Sequence, residues 1–307
     1  MIKMNTIPKS VFGDKKVVMF GWDKFSAGMN MAVDEILMRH AYQEKKFFVR
    51  FYDFVKPSVI LGMYDDPNVI KSRNAEEFDF SRRITGGKPI FMDGNTIGYS
   101  ITGPLPMNGV AENPLLNPVY PNKIIHNKLA PFLAKAIAQM IEPGCEIRLG
   151  NTGSIKVNGR QIASHAQFNK RSHSFIYHGA VVMAAWKLEL IGTVLQVREE
   201  DKRSIIELPN ISSLSIDKNN SVLSYKGRLV DRFISALPKA NLDYMLDSDK
   251  IAVLEEAGDL YDKKYSQSGW IFKSGSNLGR GVSFCILYED TMQIPEPELE
   301  EEKARSH

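Results

Sequence analysis

Residues 81–100 read SRRITGGKPIFMDGNTIGYS, and the meaning of this stretch decides the fold. Paired arginines, Arg82 and Arg83, lead through Thr85 to adjacent glycines, Gly86 and Gly87, and then to Lys88. Two glycines in a row let a backbone approach a ligand closely and adopt positive φ. A hydroxyl, open backbone and cations together suit an anion such as a carboxylate or a phosphate. The same run also describes a basic β-hairpin, because the Asp93-Gly94-Asn95 turn lies between two extended segments. On residue chemistry alone both readings stand.

Working outward, residues 16–21 make a short apolar strand and 26–42 a helix capped by Ser26. Met29, Val33, Ile36, Leu37 and His40 lie on one face of that helix. Asp34 and Glu35 read as solvated helix charges. Residues 47–52 and 58–63 are β-rich runs joined through Lys56-Pro57, followed by a polar helical segment over 69–77. Residues 97–102 form the return strand. The five prolines between Pro104 and Pro121 predict a long loop, and 123–141 an amphipathic helix that Pro131 kinks or starts late. Short extended pieces follow over 145–149, 154–157 and 160–165, with Asn158-Gly159 as a hairpin turn between the last two. A strand over 174–183, short helical segments over 187–240, a helix over 248–265 with Ile251, Leu254, Ala257 and Leu260-Tyr261 spaced for burial, and a last strand over 277–288 complete the chain.

Composition narrows the classes. The 307 residues are 43% hydrophobic and 24% charged, with a net charge of +3, which describes an ordinary globular protein that needs no nucleic acid. No apolar run approaches the ~20 residues of a membrane span, and the N-terminus lacks a signal-peptide pattern, so a cytoplasmic location is expected. Two cysteines, Cys145 and Cys285, make neither a disulfide framework nor a zinc site, and the histidines show no metal spacing. His165 and His173 read as surface histidines. The glycine-rich run over 275–281 lacks the strand and helix of a nucleotide loop.

The run RRITGGKPIFMDGN resembles the arginine–glycine signature of the lipoate–protein ligase and octanoyltransferase family, the biotin/lipoate A/B protein ligase catalytic domain. MNMAVDE at 29–35, RFYDFVKPSVILG at 50–62 and the segment 154–179, which ends in His178-Gly179, resemble further parts of it in the same order. The resemblance covers most of residues 25–180. It implies an α/β fold in the α+β sense, with a mixed, largely antiparallel sheet flanked by helices. The catalytic domain would span 16–272, and 273–307 would form a short strand and a charged tail. It also implies attachment of a lipoyl or octanoyl group to a lysine of a carrier domain. That carrier is the lipoyl domain of a 2-oxoacid dehydrogenase or the glycine-cleavage carrier protein. ATP and Mg2+ are implied for a ligase, and no cofactor for a thioester transferase.

The substrate contacts implied are Arg82, Arg83, Thr85, Gly86, Gly87, Lys88, Asn95, Ser154, Gly159, Arg160, His178 and Gly179. Ile84, Ile90, Phe91 and Val181-Val182 are expected to line an acyl tunnel. Three positions depart from the family pattern. Gln161 stands where ligases carry the lysine that holds the acyl carbonyl and phosphate, and Met92 stands where a histidine is usual. Cys145 lies near the place of the transferase nucleophile, but its surroundings differ. Strand alternation puts Lys156 on a face with Asn158 and separates it from Gln161. Ligase, Cys145-dependent transferase and a catalytically weakened binding relative therefore all remain open.

Overall fold

The computed structural model describes residues 11–105, 120–150, 154–170, 173–196 and 210–273. In chain order its elements begin with β1 (Val17–Phe25), α1 (Ala27–Glu44), β2 (Phe47–Phe54), β3 (Ser58–Leu61), β4 (Asp79–Arg82), β5 (Ile90–Met92) and β6 (Thr96–Pro104). There follow α2 (Tyr120–Ala138), β7 (Ile147–Leu149), β8 (Ser154–Val157), β9 (Arg160–Lys170), β10 (Ser174–Val182) and α3 (Leu188–Val194). The last are α4 (Val222–Ala236), β11 (Leu242–Tyr244) and α5 (Asp247–Leu260). Eight strands form one sheet in the order β11-β1-β2-β6-β10-β9-β8-β7, and β4-β3-β5 form a second, smaller one. The first two joints of the large sheet are parallel and the rest antiparallel, so the expected mixed, largely antiparallel sheet is found.

Alternation along the strands divides the large sheet into two packed faces. Phe47, Val49 and Phe51 of β2, Tyr99 of β6 and Tyr177 of β10 pack with α2 and α4 on one side. Phe48, Tyr52 and Ala180 pack with α1 and α5 on the other. The small sheet has a core of its own with α3, built on Val59, Leu61 and Phe91. Two acceptors cap α1: Ser26 Oγ takes the Met29 amide at 3.2 Å, and Asp79 of β4 takes the Ala27 amide at 2.7 Å. This second bond ties the small sheet to the start of the helix.

Several expectations change. Residues 69–77 are not helical beyond a single 3-10 turn at Pro67–Val69, because no repeating apolar stripe gives a helix there anything to bury. Pro131 sits inside α2 without ending it. The helix expected over 248–265 is α5 followed by a π turn, Tyr261–Tyr265, and its buried side chains are Val253 and Ala257, while Ile251 is exposed. Of the proline-rich stretch, Pro104 ends β6 and Pro121 lies in the first turn of α2. Residues 106–119, Cys285 and the strand expected over 277–288 lie outside the described residues.

His165 is the largest departure on the α2 face. It is buried, and its Nδ1 shares a hydrogen bond with the Tyr99 hydroxyl. Tyr99 in turn meets Tyr177, whose hydroxyl is 3.1 Å from His126 Nδ1, and His126 Nε2 donates to the Gly150 carbonyl at 3.1 Å. Burial pushes the His126 imidazole below its usual pKa, and burial reinforced by His126 pushes His165 well below it. Both rings bind protons less readily in the fold than in the unfolded chain, so their contribution to stability is complete above the unfolded value of about 6.5 and falls as pH drops below it. Urea midpoints measured from pH 7.5 to 5.0 should decline by up to about 1.4 kcal/mol per pH unit for each ring held neutral. His165→Gln should flatten that decline, and parallel curves for the variant and the parent would rule the mechanism out.

Candidate active site

The site is built on successive rungs of the large sheet beneath α1. Arg50 of β2, Ser100 of β6, His178 of β10 and Ala166 of β9 are direct cross-strand partners, and all four face the helix. One rung away stand Tyr52, Gly98, Ala180 and Ser164. Gly98 has to lack a side chain, because a Cβ there would meet the Tyr52 ring at 2.3 Å. The ring lies over the glycine and turns its hydroxyl toward α1.

Asp34 of α1 comes down onto the first rung. Its Oδ1 accepts from Ser100 Oγ at 2.7 Å and Arg50 Nη1 at 3.3 Å, and its Oδ2 from His178 Nδ1 at 2.9 Å and the Tyr52 hydroxyl at 3.4 Å. Asn30, one turn earlier, accepts from Arg50 Nη2 at 2.7 Å on its side-chain oxygen and from Nη1 at 3.0 Å on its carbonyl. Asp34 is 1% exposed, which overturns its reading as a solvated charge. Glu35 is buried as well. Burial pushes its carboxyl up, but Lys264, Tyr265 and Arg39 together outweigh this and hold it below the usual range. Burial, with the Asp34 charge adding to it, raises the Tyr52 phenol well above its usual value.

The 81–88 loop meets this network from the other side. Thr85 Oγ1 is 2.7 Å from His178 Nε2, so hydroxyl, imidazole and carboxylate form one chain. Arg83 holds the loop by its carbonyls, donating to Gly86 O at 2.8 Å, Lys88 O at 2.8 Å and Ile60 O at 3.1 Å. Arg82 is fully buried and donates to Gly62, Met63 and Asp65 on one side and to Trp270, Ile271 and Lys273 on the other, all through carbonyls. The two arginines thus anchor backbone. Gly87 has φ +92°, and its carbonyl packs against Gly62, where a Cβ would come within 2.0 Å of the oxygen.

Between loop and sheet lies a narrow, mostly apolar cavity of about 30 Å³ that opens to solvent. Met31, Phe54, Ile60, Ile90, Met92 and Ala180 supply its greasy wall, and Arg83, Ser164 and His178 its polar part. Of the expected tunnel residues, Ile90 lines it. Phe91 belongs to the core of the small sheet, and Val181 points to the α2 face. Met92, the departure from the family's histidine, is an apolar wall residue.

Of the remaining candidate residues, Gly179 lines the cavity, and its missing side chain lets β9 pass, since a Cβ would meet Ser164 O at 1.9 Å. Asn95 bonds Ala185 O at 2.6 Å and ties the β5–β6 turn to the end of β10. Ser154 is buried on β8, and Gly159 and Arg160 lie at an exposed hairpin tip. Cys145 is half-buried before β7, 3.7 Å from Asn158 Nδ2, and is not among the cavity's lining residues. Gln161 is buried on β9, and Lys156 is its direct partner on β8. The pairing runs from Ile155↔Ala163 to Lys156↔Gln161, so Ile162 is an extra residue in β9. The two-residue turn pairs Lys156 with Gln161, contrary to the expected separation, and the bulge brings Gln161 onto the face of Ser164, which Lys156 shares through Ser154.

Packing at Gly62 predicts how the loop responds to substitution. Gly62→Ala should force the loop off the small sheet and lower stability by about 1–3 kcal/mol. Gly86→Ala adds a Cβ into space free within 4 Å and should stay within about 0.5 kcal/mol of the parent. Thermal unfolding of both variants checks this, and equal melting temperatures would show that the loop does not press on Gly62.

Known proteins can now be set beside this geometry. No curated protein sequence matches the chain. The structure is similar to a bi-partite lipoate protein ligase from Thermoplasma acidophilum, with a TM-score of 0.63 at 16% identity over 87% of this chain and 100% of that one. Lipoate-protein ligase A bound with ATP gives 0.60 at 16% identity, over 84% and 98% of the two chains. P. falciparum LipL1 in complex with lipoate gives 0.61 at 12% identity, over 86% and 76%. At such identities the likeness establishes the fold. The profile of the lipoyl protein ligase A/B catalytic domain matches residues 26–215, more than half of the sequence, and the chain belongs to that family.

Proposed function

We propose that the protein attaches a lipoyl or octanoyl group to the lysine of a lipoyl carrier domain, and that it does so as an ATP-dependent ligase. The observation that carries this reading is the cavity, apolar along most of its wall and polar where Arg83 and His178 meet it. A medium-length acyl chain needs that distribution. The family supports an enzyme of the ligase or transferase kind.

The choice of ligase rests on Cys145. A thioester route needs a nucleophilic sulfur at the reacting carbon, and this thiol stands apart from the cavity lining. ATP fits the site as a co-substrate. Gly86 has open space at its Cβ position, and Lys88 follows the two glycines, so backbone and cation suit a phosphate. Mg2+ would arrive on the nucleotide's phosphates. Among the described residues no three His, Cys, Asp or Glu side chains group to hold a metal. Lys156 is the cross-strand partner of Gln161 and would supply the charge that the glutamine lacks, although neither residue lines the cavity. A binding-only relative is the reading that Gln161 itself favours. The carriers in view are the lipoyl domain of a 2-oxoacid dehydrogenase and the glycine-cleavage carrier protein, whose acidic surfaces suit a chain of net charge +3.

Purified protein with lipoate or octanoate, Mg-ATP and a lipoyl domain should add the acyl mass to the domain. Cys145→Ser should keep the rate within about twofold, and Lys156→Met should lower it at least about tenfold, near 1.4 kcal/mol of transition-state stabilisation. Acylation from a carrier thioester alone, abolished in Cys145→Ser, would establish the transferase instead. No acylation from either donor would leave the binding relative. Ala180→Leu, which fills the cavity wall, should shift acceptance from octanoate toward butyrate, and an unchanged chain-length profile would remove the cavity from the reaction.

A further inference from the structure

We propose that Asp34 is a positioning residue for acyl transfer, acting through His178 and Thr85 to hold the Gly86–Gly87 amides toward the reacting end of the acyl group. This deepens the acyl-transfer reading and rests on it. Asp34 accepts four hydrogen bonds on its two oxygens, from Ser100, Arg50, His178 and Tyr52. An ionised carboxylate can only accept, so His178 carries its proton on Nδ1. In the neutral ring Nε2 is then the acceptor, and the Thr85 hydroxyl at 2.7 Å is placed to donate to it. With the ring neutral the chain runs in one direction, from loop to helix, and Asp34 sets it.

What this chain orients follows from peptide geometry. In a trans peptide the N–H points opposite the preceding C=O. The Thr85 carbonyl accepts from Met63 N–H at 2.8 Å, so the Gly86 N–H points away from Met63. The Gly86 carbonyl is held by Arg83, and so the Gly87 N–H points away from that guanidinium. Among the described residues neither amide has a hydrogen-bond partner. Two adjacent donors are thereby left without a partner among the described residues, and such donors can stabilise charge developing on an acyl oxygen. Arg83 restrains the loop from one side and Thr85 from the other. The Thr85 restraint runs to the large sheet and α1.

Thr85→Val is nearly isosteric and removes the link alone. The kcat for transfer of octanoate to a lipoyl domain with Mg-ATP should fall at least about tenfold in Thr85→Val and in Asp34→Asn, with KM for octanoate changed less than about threefold. Thr85→Ser should restore kcat to within about threefold. Hydrogen exchange at residues 86–88, read by mass spectrometry on protein without substrates, should quicken in Thr85→Val and not in Thr85→Ser. The ¹⁵N shifts of His178 should report the Nδ1–H tautomer. Thr85→Val with parental exchange at 86–88, or an Nε2–H tautomer at His178, would overturn the proposal, whatever the melting temperatures. Should Asp34→Asn fail to fold, the threonine pair and the tautomer still decide. An inactive parent protein would count against the acyl-transfer reading, while the exchange and ¹⁵N results would still support or overturn the positioning of the loop. A parent that acylates the domain alongside a Thr85→Val of unchanged kcat would sink the positioning role alone.

Discussion

A carboxylate taken out of water beneath α1 constrains everything around it. Burying Asp34 is tolerable only because Arg50, Ser100, Tyr52 and His178 converge on it, and deleting one partner of such a buried pair costs about 3–5 kcal/mol. The requirement reaches beyond the donors themselves. Arg50, Ser100 and His178 come from three different strands and must share a rung, so strand register is locked wherever the charge is satisfied. Gly98 has to be bare so that the Tyr52 ring can cross the next rung. Asn30 has to occupy the guanidinium's second face. One charge thus links helix, sheet and loop into a single mechanical unit.

The fold was largely readable from sequence where local chemistry and tertiary packing agree. Ser26 capping α1, Asn158-Gly159 turning at positive φ, and the alternating strands on either side of it are local facts. The signature loop reads from sequence as a binding element, and the structure shows how its backbone is anchored. Its two arginines were read as ligand cations, because sequence shows a charge without showing the carbonyls that surround it. Arg82 and Arg83 spend their donors on backbone. In the helix over 69–77 and in the buried face of α5, polarity and spacing misled, since neighbouring elements decide which side is covered.

The site was less legible because its polar members lie where apolar residues are usual. Asp34 reads as a surface charge from its own helix alone. A signal was available in the run FFVRFY, where Arg50 stands among residues that must be buried and therefore demands an acidic partner. Asn30 and Asp34, one turn apart on an otherwise apolar helix face, were the complementary signal. The position of Lys156 illustrates a different limit. A two-residue turn at Asn158-Gly159 makes Val157 and Arg160, and then Lys156 and Gln161, direct partners, so the turn joins these residues where alternation along one strand would separate them.

Arg82 has a consequence for how the chain matures. Three of its carbonyl acceptors lie close by in sequence, and three lie 188 to 191 residues downstream, in the turn that ends at Lys273. During synthesis the glycine loop therefore leaves the ribosome long before half of its anchor exists. The guanidinium can be fully enclosed only once nearly the whole described chain has been made, because contacts across such separations close late. The anchoring of residues 81–88 is in this sense complete only once Lys273 has been made, 191 residues after the arginine that it holds.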